Sequence, residues 1–198
     1  MHTEFSIKDG MLNPKKVVHK AIASGMKALA ITDATAMFGD VIFYKAASAA
    51  GIKPILGADC SITNHYNRDD YLRLLFLARN HQGYLTLCDL LSRAWLTNQY
   101  KDRGEVDLDW ITSEMADGLI VLSGFNTGAI GKAILNGSSS AAEQEARRLS
   151  QKFPHFFMEL QRVGRPNDEM LVAESVKLAK KLGLPVVATQ PIQFENSE

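Results

Sequence analysis

The feature that most limits what this chain can become is its alternation of short apolar runs of β type with longer stretches at helical spacing. Such alternation selects an α/β domain, because each helix must lay its apolar stripe on the sheet that its flanking strands build. A first strand is read at His2 to Phe5. Pro14 then opens a helix through Ser24, with Val17, Val18, Ala21 and Ile22 at helical spacing and Gly25 behind it. Ala28 to Thr32 reads as a strand, Met37 to Ala50 as a helix stopped by Gly51, Lys53 to Ile62 as a third strand and Tyr71 to Ala78 as a fourth. His81 to Thr97 is strongly amphipathic, and the polar stretch Asn98 to Asp107 and a helical turn at Leu108 to Thr112 follow it. Next come a strand at Leu119 to Leu122, a helix at Gly128 to Leu135 broken by Asn136-Gly137, and a helix capped by Ser140 that runs through Gln151. A strand at His155 to Leu160, a helix from Asp168 to Leu182 stopped by Gly183, and a strand at Pro185 to Thr189 complete the series. About seven strands result, which suits a barrel-like closure better than an open sheet.

The 198 residues, 46% of them hydrophobic, are enough to bury a core without disulfides, and no repeat, low-complexity tract or Gly/Ser linker divides them. Residues 1–198 read as one domain. Both ends read as cut from something larger, since the first strand starts at residue 2 and the polar segment Gln193 to Glu198 closes no element. Cys60 and Cys88 lack CxxC spacing and sit in apolar or helical surroundings, so they read as buried thiols of a reducing, cytoplasmic compartment. Lys plus Arg equals Asp plus Glu at 22 each, so the net charge offers no footprint for a nucleic-acid backbone, and any DNA contact is local or weak. Apolar runs such as Leu74 to Ala78 are too short to span a bilayer, which excludes membrane readings.

In barrel-like α/β folds reactive groups collect at the carboxyl ends of strands. Those ends offer His2 and Glu4, Thr32-Asp33, Asp59, Ser123-Gly124, Glu159 with Gln161 and Arg162, and Thr189-Gln190. Asp33 stands where a metal ligand or general base is expected, though a carboxylate before a helix also serves as a cap. His2 could ligate a divalent ion through a ring nitrogen. His19, His65, His81 and His155 form no HxH, HxxH or HExxH pair, and P-loop, GxGxxG and GxSxG patterns are missing from the sequence. Asp69-Asp70 reads as a solvated loop pair. Gly164-Arg165-Pro166-Asn167-Asp168 reads as a loop feeding a helix cap, with an arginine able to grip an anion.

Ala28 to Asp33, Met37-Phe38-Gly39, Phe43 to Ala47 and Gly51 to Gly57 closely resemble the opening of the PHP (polymerase and histidinol phosphatase) domain of bacterial DNA polymerase III alpha subunits. His2 to Ser6 with Asp9-Gly10, Leu119 to Gly124, Glu159 to Arg162 and Gly183 to Thr189 resemble its other motifs, in order and over essentially the whole chain. The resemblance implies a distorted seven-stranded βα barrel, here the amino-terminal part of a much longer polymerase chain.

Intact PHP sites hold several divalent metals through His, Cys and acidic ligands. By the resemblance, His2, Asp33 and Asp59 keep vestigial metal positions, and the first histidine of the HxH pair falls before residue 1. Other ligand positions read Ala34, Arg73, Phe125 and Gln193. Alkyl, aromatic and amide side chains bind such ions poorly and a guanidinium repels them. The expectation is therefore a non-catalytic scaffold without a cofactor of its own, docked to the remaining polymerase domains and to the proofreading exonuclease subunit. DNA and catalytic magnesium would be met only through the parent polymerase. The alternative is an active metal-dependent phosphoesterase or pyrophosphatase in which His2, Asp33, Asp59 and Glu4 suffice.

Overall fold

The computed structural model describes residues 1–7 and 9–194. Helix α1 (Pro14–Ala23) leads into strand β1 (Ala28–Ala34), and helix α2 (Asp40–Ala49) into β2 (Lys53–Ile62). Strand β3 (Leu72–Ala78) follows with no helix between. Helix α3 (His81–Thr97), the hairpin strands β4 (Gln99–Tyr100) and β5 (Arg103–Gly104), and the short helix α4 (Ser113–Asp117) precede β6 (Leu119–Leu122). Helices α5 (Ala129–Leu135) and α6 (Ser139–Lys152) lead to β7 (Phe156–Leu160), and α7 (Asp168–Leu182) to β8 (Val186–Ala188).

Local chemistry sets these limits. The Asn13 side chain accepts from the Lys15 and Lys16 amides ahead of Pro14, satisfying donors that the first turn of α1 leaves free. Helix α7 places Asp168 and Glu169 in its first turn and Lys180 and Lys181 in its last, as its dipole favours, and ends on Gly183 in the left-handed region. The expected cap Ser140 instead lies inside α6, whose start at Ser139 behind Ser138 is two residues earlier than that cap implied. Helix α2 starts at Asp40 rather than Met37, because residues 35–39 form a turn in which Thr35 has φ of 46°. The loop expected at Asn98 to Asp107 contains the β4–β5 hairpin, and α4 was not foreseen.

The strand order is β1-β2-β3-β6-β7-β8, with β1/β2, β6/β7 and β7/β8 parallel and β2/β3 and β3/β6 antiparallel. Only β3 is reversed, so its beginning lies beside the carboxyl ends of its neighbours, with Arg73 opposite Ser61 and Leu75 opposite both Asp59 and Leu122. The sheet curls into a half barrel. Its convex side packs on helices through a large cluster that includes Phe76, Leu87, Leu90, Val121, Phe153 and Met158, and a smaller one of Leu12, Val17, Val18, Ile31, Phe43 and Ala47. Each of these side chains except that of Ala47 contributes about 1.5–3 kcal/mol by leaving water. No described helix is long and apolar enough to cross a membrane.

The expected first strand His2 to Phe5 does not form. Thr3 makes an isolated bridge with Leu12, and Glu4–Ser6 is a 3-10 turn. Residues 1 and 2 nonetheless stand between the two sheet edges: the Thr32 amide donates to the Met1 carbonyl at 3.0 Å and the His2 amide to the Ile192 carbonyl at 2.8 Å. Among the described residues the main sheet thus has six strands, and this segment takes the place of a seventh.

Candidate functional site

The concave side of the half barrel encloses a cavity of about 870 Å³. Its polar end is lined by His2, Asp9, Asp59, Arg73, Glu159, Gln161, Arg165 and Thr189. Two of the three residues singled out from the sequence, His2 and Asp59, meet there. The His2 ring holds Asp59 through Nε2 at 3.1 Å and Asp9 through Nδ1 at 2.9 Å. Burial opposes the charged imidazolium, but the two carboxylates outweigh it and raise the His2 pKa above 6.5.

Asp59 is buried within β2 and receives the Nε of Arg73 at 2.5 Å on both oxygens. Burial alone would raise its pKa. Arg73, then His2, reverses that and holds the carboxyl below the usual 3.8. Arg73 Nη1 continues to the Gly124 carbonyl at 3.2 Å and to Glu159 at 3.4 Å. Glu159 is further held by the Gly124 amide at 3.1 Å, Gln161 Nε2 at 2.9 Å and the Thr189 hydroxyl at 2.5 Å. Gln161 in turn accepts from Arg165 Nη1 at 3.1 Å, which also reaches Asn126 at 3.3 Å. A continuous polar chain therefore runs from Asp59 to Arg165.

The third of these residues, Asp33, lies elsewhere. Asp33 is fully buried and does not line the cavity; its oxygens accept from the Thr3 amide at 2.5 Å, the Thr3 hydroxyl at 2.7 Å and the Ser6 hydroxyl at 2.8 Å. Asp33 makes these bonds to no helix start, so it does not act as the cap that the sequence allowed; it fastens the turn after Thr3 onto β1. Glu4 is exposed and accepts from the Asn13 side chain at 2.8 Å, outside the cavity. Near Asp33, Asp40 is fully buried with both oxygens unpartnered; burial, then the Asp33 charge, pushes its pKa up to about 8.

Other expectations fare variously. The Asp168 carboxylate accepts from the amides of Val163 at 3.0 Å and Arg165 at 3.1 Å and so ties the loop together, whereas the N-cap residue of α7, Asn167, makes no side-chain cap bond. Asp69 and Asp70 are not merely solvated: Asp69 pairs with Lys101, and Asp70 with Lys132 at 2.6 Å. Cys60 is buried, and burial raises its thiol pKa further, whereas Cys88 is only half-buried. One grouping escaped sequence reasoning. His65, Asp107 and Asp109 bring one donor atom each within 4.8 Å of one another, although 42 residues separate the first two.

The PHP domain family model matches residues 1–163. The chain is 46% identical over 200 residues to DNA polymerase III subunit alpha of Neisseria meningitidis serogroup B, covering 98% of this chain and 17% of that one. It is 40% identical over 198 residues to the subunit of the same name from Escherichia coli K12, covering 100% of this chain and 17% of that one. The chain thus spans 17% of the length of these curated relatives. Among solved structures it resembles an amidohydrolase from Chromobacterium violaceum with bound sulfate and no metal, at a TM-score of 0.66 and 14% identity over 97% of this chain and 85% of that one. It also resembles a putative metal-dependent phosphoesterase from Bifidobacterium adolescentis, at a TM-score of 0.59 and 12% identity over 94% and 84%.

Proposed function

The chain belongs to the PHP domain family, and from that premise we propose that it serves as the amino-terminal PHP portion of a DNA polymerase III alpha subunit, with a degenerate metal site and a scaffolding role. One observation carries the reading: the Arg73 guanidinium lies against Asp59 and reaches Glu159, where it supplies the positive charge that an ion would otherwise bring. A cluster of divalent ions does not fit this donor set. It would have to displace a fixed cation, and the lone pairs of Asp33, Asp59 and Glu159 already accept hydrogen bonds from the protein.

In this role the domain packs on the remaining domains of the subunit and offers a docking surface to the proofreading exonuclease subunit. Nucleotide addition, its magnesium and DNA belong to the longer chain. Metal analysis of protein grown with added zinc and manganese, with phosphoester and pyrophosphate assays and co-purification with the exonuclease subunit, tests the proposal. The expected result is far less than one ion per chain, no metal-stimulated turnover, and a complex with the exonuclease. Stoichiometric metal with turnover would establish the phosphoesterase or pyrophosphatase reading instead; failure to bind the exonuclease would remove the docking role alone.

A further inference from the structure

A second hollow, of about 700 Å³, is bounded by the loop after β2, the start of β3 and helices α5 and α6. His65, Asp107 and Asp109 stand together on its wall. Backbone pairing brings their segments there: Val106 bridges Ile62, the Thr63 amide donates to the Val106 carbonyl at 3.0 Å, and the Val106 amide donates to the Ser61 carbonyl at 2.8 Å. Asp107 follows this junction directly. His65 follows it after Asn64, whose Oδ1 accepts from the Tyr66 and Asn67 amides at 3.2 and 3.3 Å and sets the turn. Asp107 Oδ1 also accepts from the Asp109 amide at 3.0 Å, which fixes both acids at the start of the 3-10 turn Leu108–Trp110.

The spacing within this group is that of ligands rather than of an ion pair. His65 Nε2 stands 3.3 Å from one Asp107 oxygen and 3.4 Å from the other. A charge-assisted hydrogen bond is shorter, at about 2.7–2.9 Å. Two ligands each about 2.0–2.2 Å from a tetrahedral zinc ion, by contrast, lie about 3.3–3.6 Å apart. The third donor, from Asp109, is within 4.8 Å of both, and its exposed side chain is free to close the remainder. The cations around the hollow are committed to other acids: Lys132 to Asp70 at 2.6 Å, Arg148 to Glu145 at 2.8 and 2.7 Å, and Arg73 to Asp59. Arg148 attracts Asp109 as a nearby charge, yet among the described residues none of the three is hydrogen-bonded to Asp107 or Asp109.

We infer that His65, Asp107 and Asp109 bind one divalent ion of the zinc class, with a further coordination position left open to the hollow. One imidazole nitrogen with two carboxylate oxygens suits zinc, whereas magnesium keeps most of its water shell and competes poorly. The bound ion clips the loop of residues 63–71 to the segment that leads into α4. Because His65 and Asp109 are exposed, binding has to order both side chains, so the ion exchanges readily and leaves when the protein is desalted. None of the three ligands lines the concave cavity, and the inference is independent of the scaffold proposal.

The test adds zinc stepwise to the desalted 198-residue chain, with excess magnesium present, and reads the heat of binding and the thermal midpoint. Cobalt(II) in place of zinc reports the coordination number through its visible absorption. His65→Ala and Asp109→Asn alter exposed ligands and leave the fold intact; His2→Gln probes the concave cavity, and His155→Ala a surface histidine paired with Asp117. The parent is expected to take up one zinc ion with a raised midpoint, and the His65 and Asp109 variants to bind about tenfold more weakly or worse. The His2 and His155 variants should bind like the parent, and the cobalt spectrum should be lost only with His65 or Asp109. No uptake, or equal weakening by all three histidine variants, which would mark an adventitious ion only, would overturn the inference. Binding that survived His65→Ala but not His2→Gln would also overturn it, and would count separately against the degenerate concave site.

Discussion

Arg73 Nε lies 2.5 Å from both carboxylate oxygens of Asp59, within a strand pair in which Arg73 itself stands opposite Ser61. The pair is nearly out of solvent, so removing one partner strands the other charge. Arg73→Met is expected to cost about 3–5 kcal/mol in urea denaturation. Combining it with Asp59→Asn should cost clearly less than the sum of the two single changes, because the double variant buries no lone charge. Strict additivity would show that the two side chains do not act as a pair.

Asp33 draws its stability from hydroxyl and amide donors rather than from a cation. Ser6→Ala removes the donor at 2.8 Å and should lower stability by about 1–3 kcal/mol, the range for depriving a buried polar group of a partner. A calorimetric scan that matched the unaltered protein would contradict this role.

Asp40 should impose a pH dependence of its own. Its folded-state pKa of about 8 lies above the ordinary 3.8, so the folded chain holds the proton more tightly than the unfolded one. The favourable difference is complete below pH 3.8 and is lost as pH climbs toward about 8. The loss between these limits is at most on the order of 6 kcal/mol. Asp40→Asn, which cannot ionise, should flatten the decline between pH 5 and pH 8 in chemical denaturation. An unchanged slope would place the titrating group elsewhere.

Gly124 combines φ of 80° with a close approach: a Cβ there would lie 2.2 Å from the Arg73 carbonyl oxygen. Gly124→Ala should therefore cost on the order of 3 kcal/mol or more, through both strain and overlap. A thermal midpoint within a degree of the parent would show that the Arg73 backbone can move aside.

Much of this architecture can be read from the residues alone, and the exceptions have physical causes. The limits of β2, α3 and α7 follow from apolar period and caps, and all three match the expected ranges. The first strand was misplaced because Thr3 and Ser6 turn their hydroxyls to Asp33, a partner about 30 positions away that periodicity does not encode. His2 and Asp59 could be anticipated from strand ends. Arg73 was reached only through resemblance, since it stands at the start of its strand, and reversal of β3 is what carries it to the same end of the barrel. The links from Glu159 to Gln161 and Thr189 depend on side-chain orientation that the linear order does not specify.

That single reversed strand also bears on how the chain assembles. Asp59 and Arg73 are 14 positions apart and meet by closing one short loop, whereas Arg73 and Glu159 are separated by 86 and meet only when distant parts of the polypeptide converge. Loop-closure entropy orders these events: the β2–β3 hairpin can form early, with its ion pair in place, and await the later half of the sheet. Measured on both kinetic limbs, replacements of Arg73 should chiefly slow refolding and those of Thr189 chiefly hasten unfolding, with the opposite pattern refuting that order.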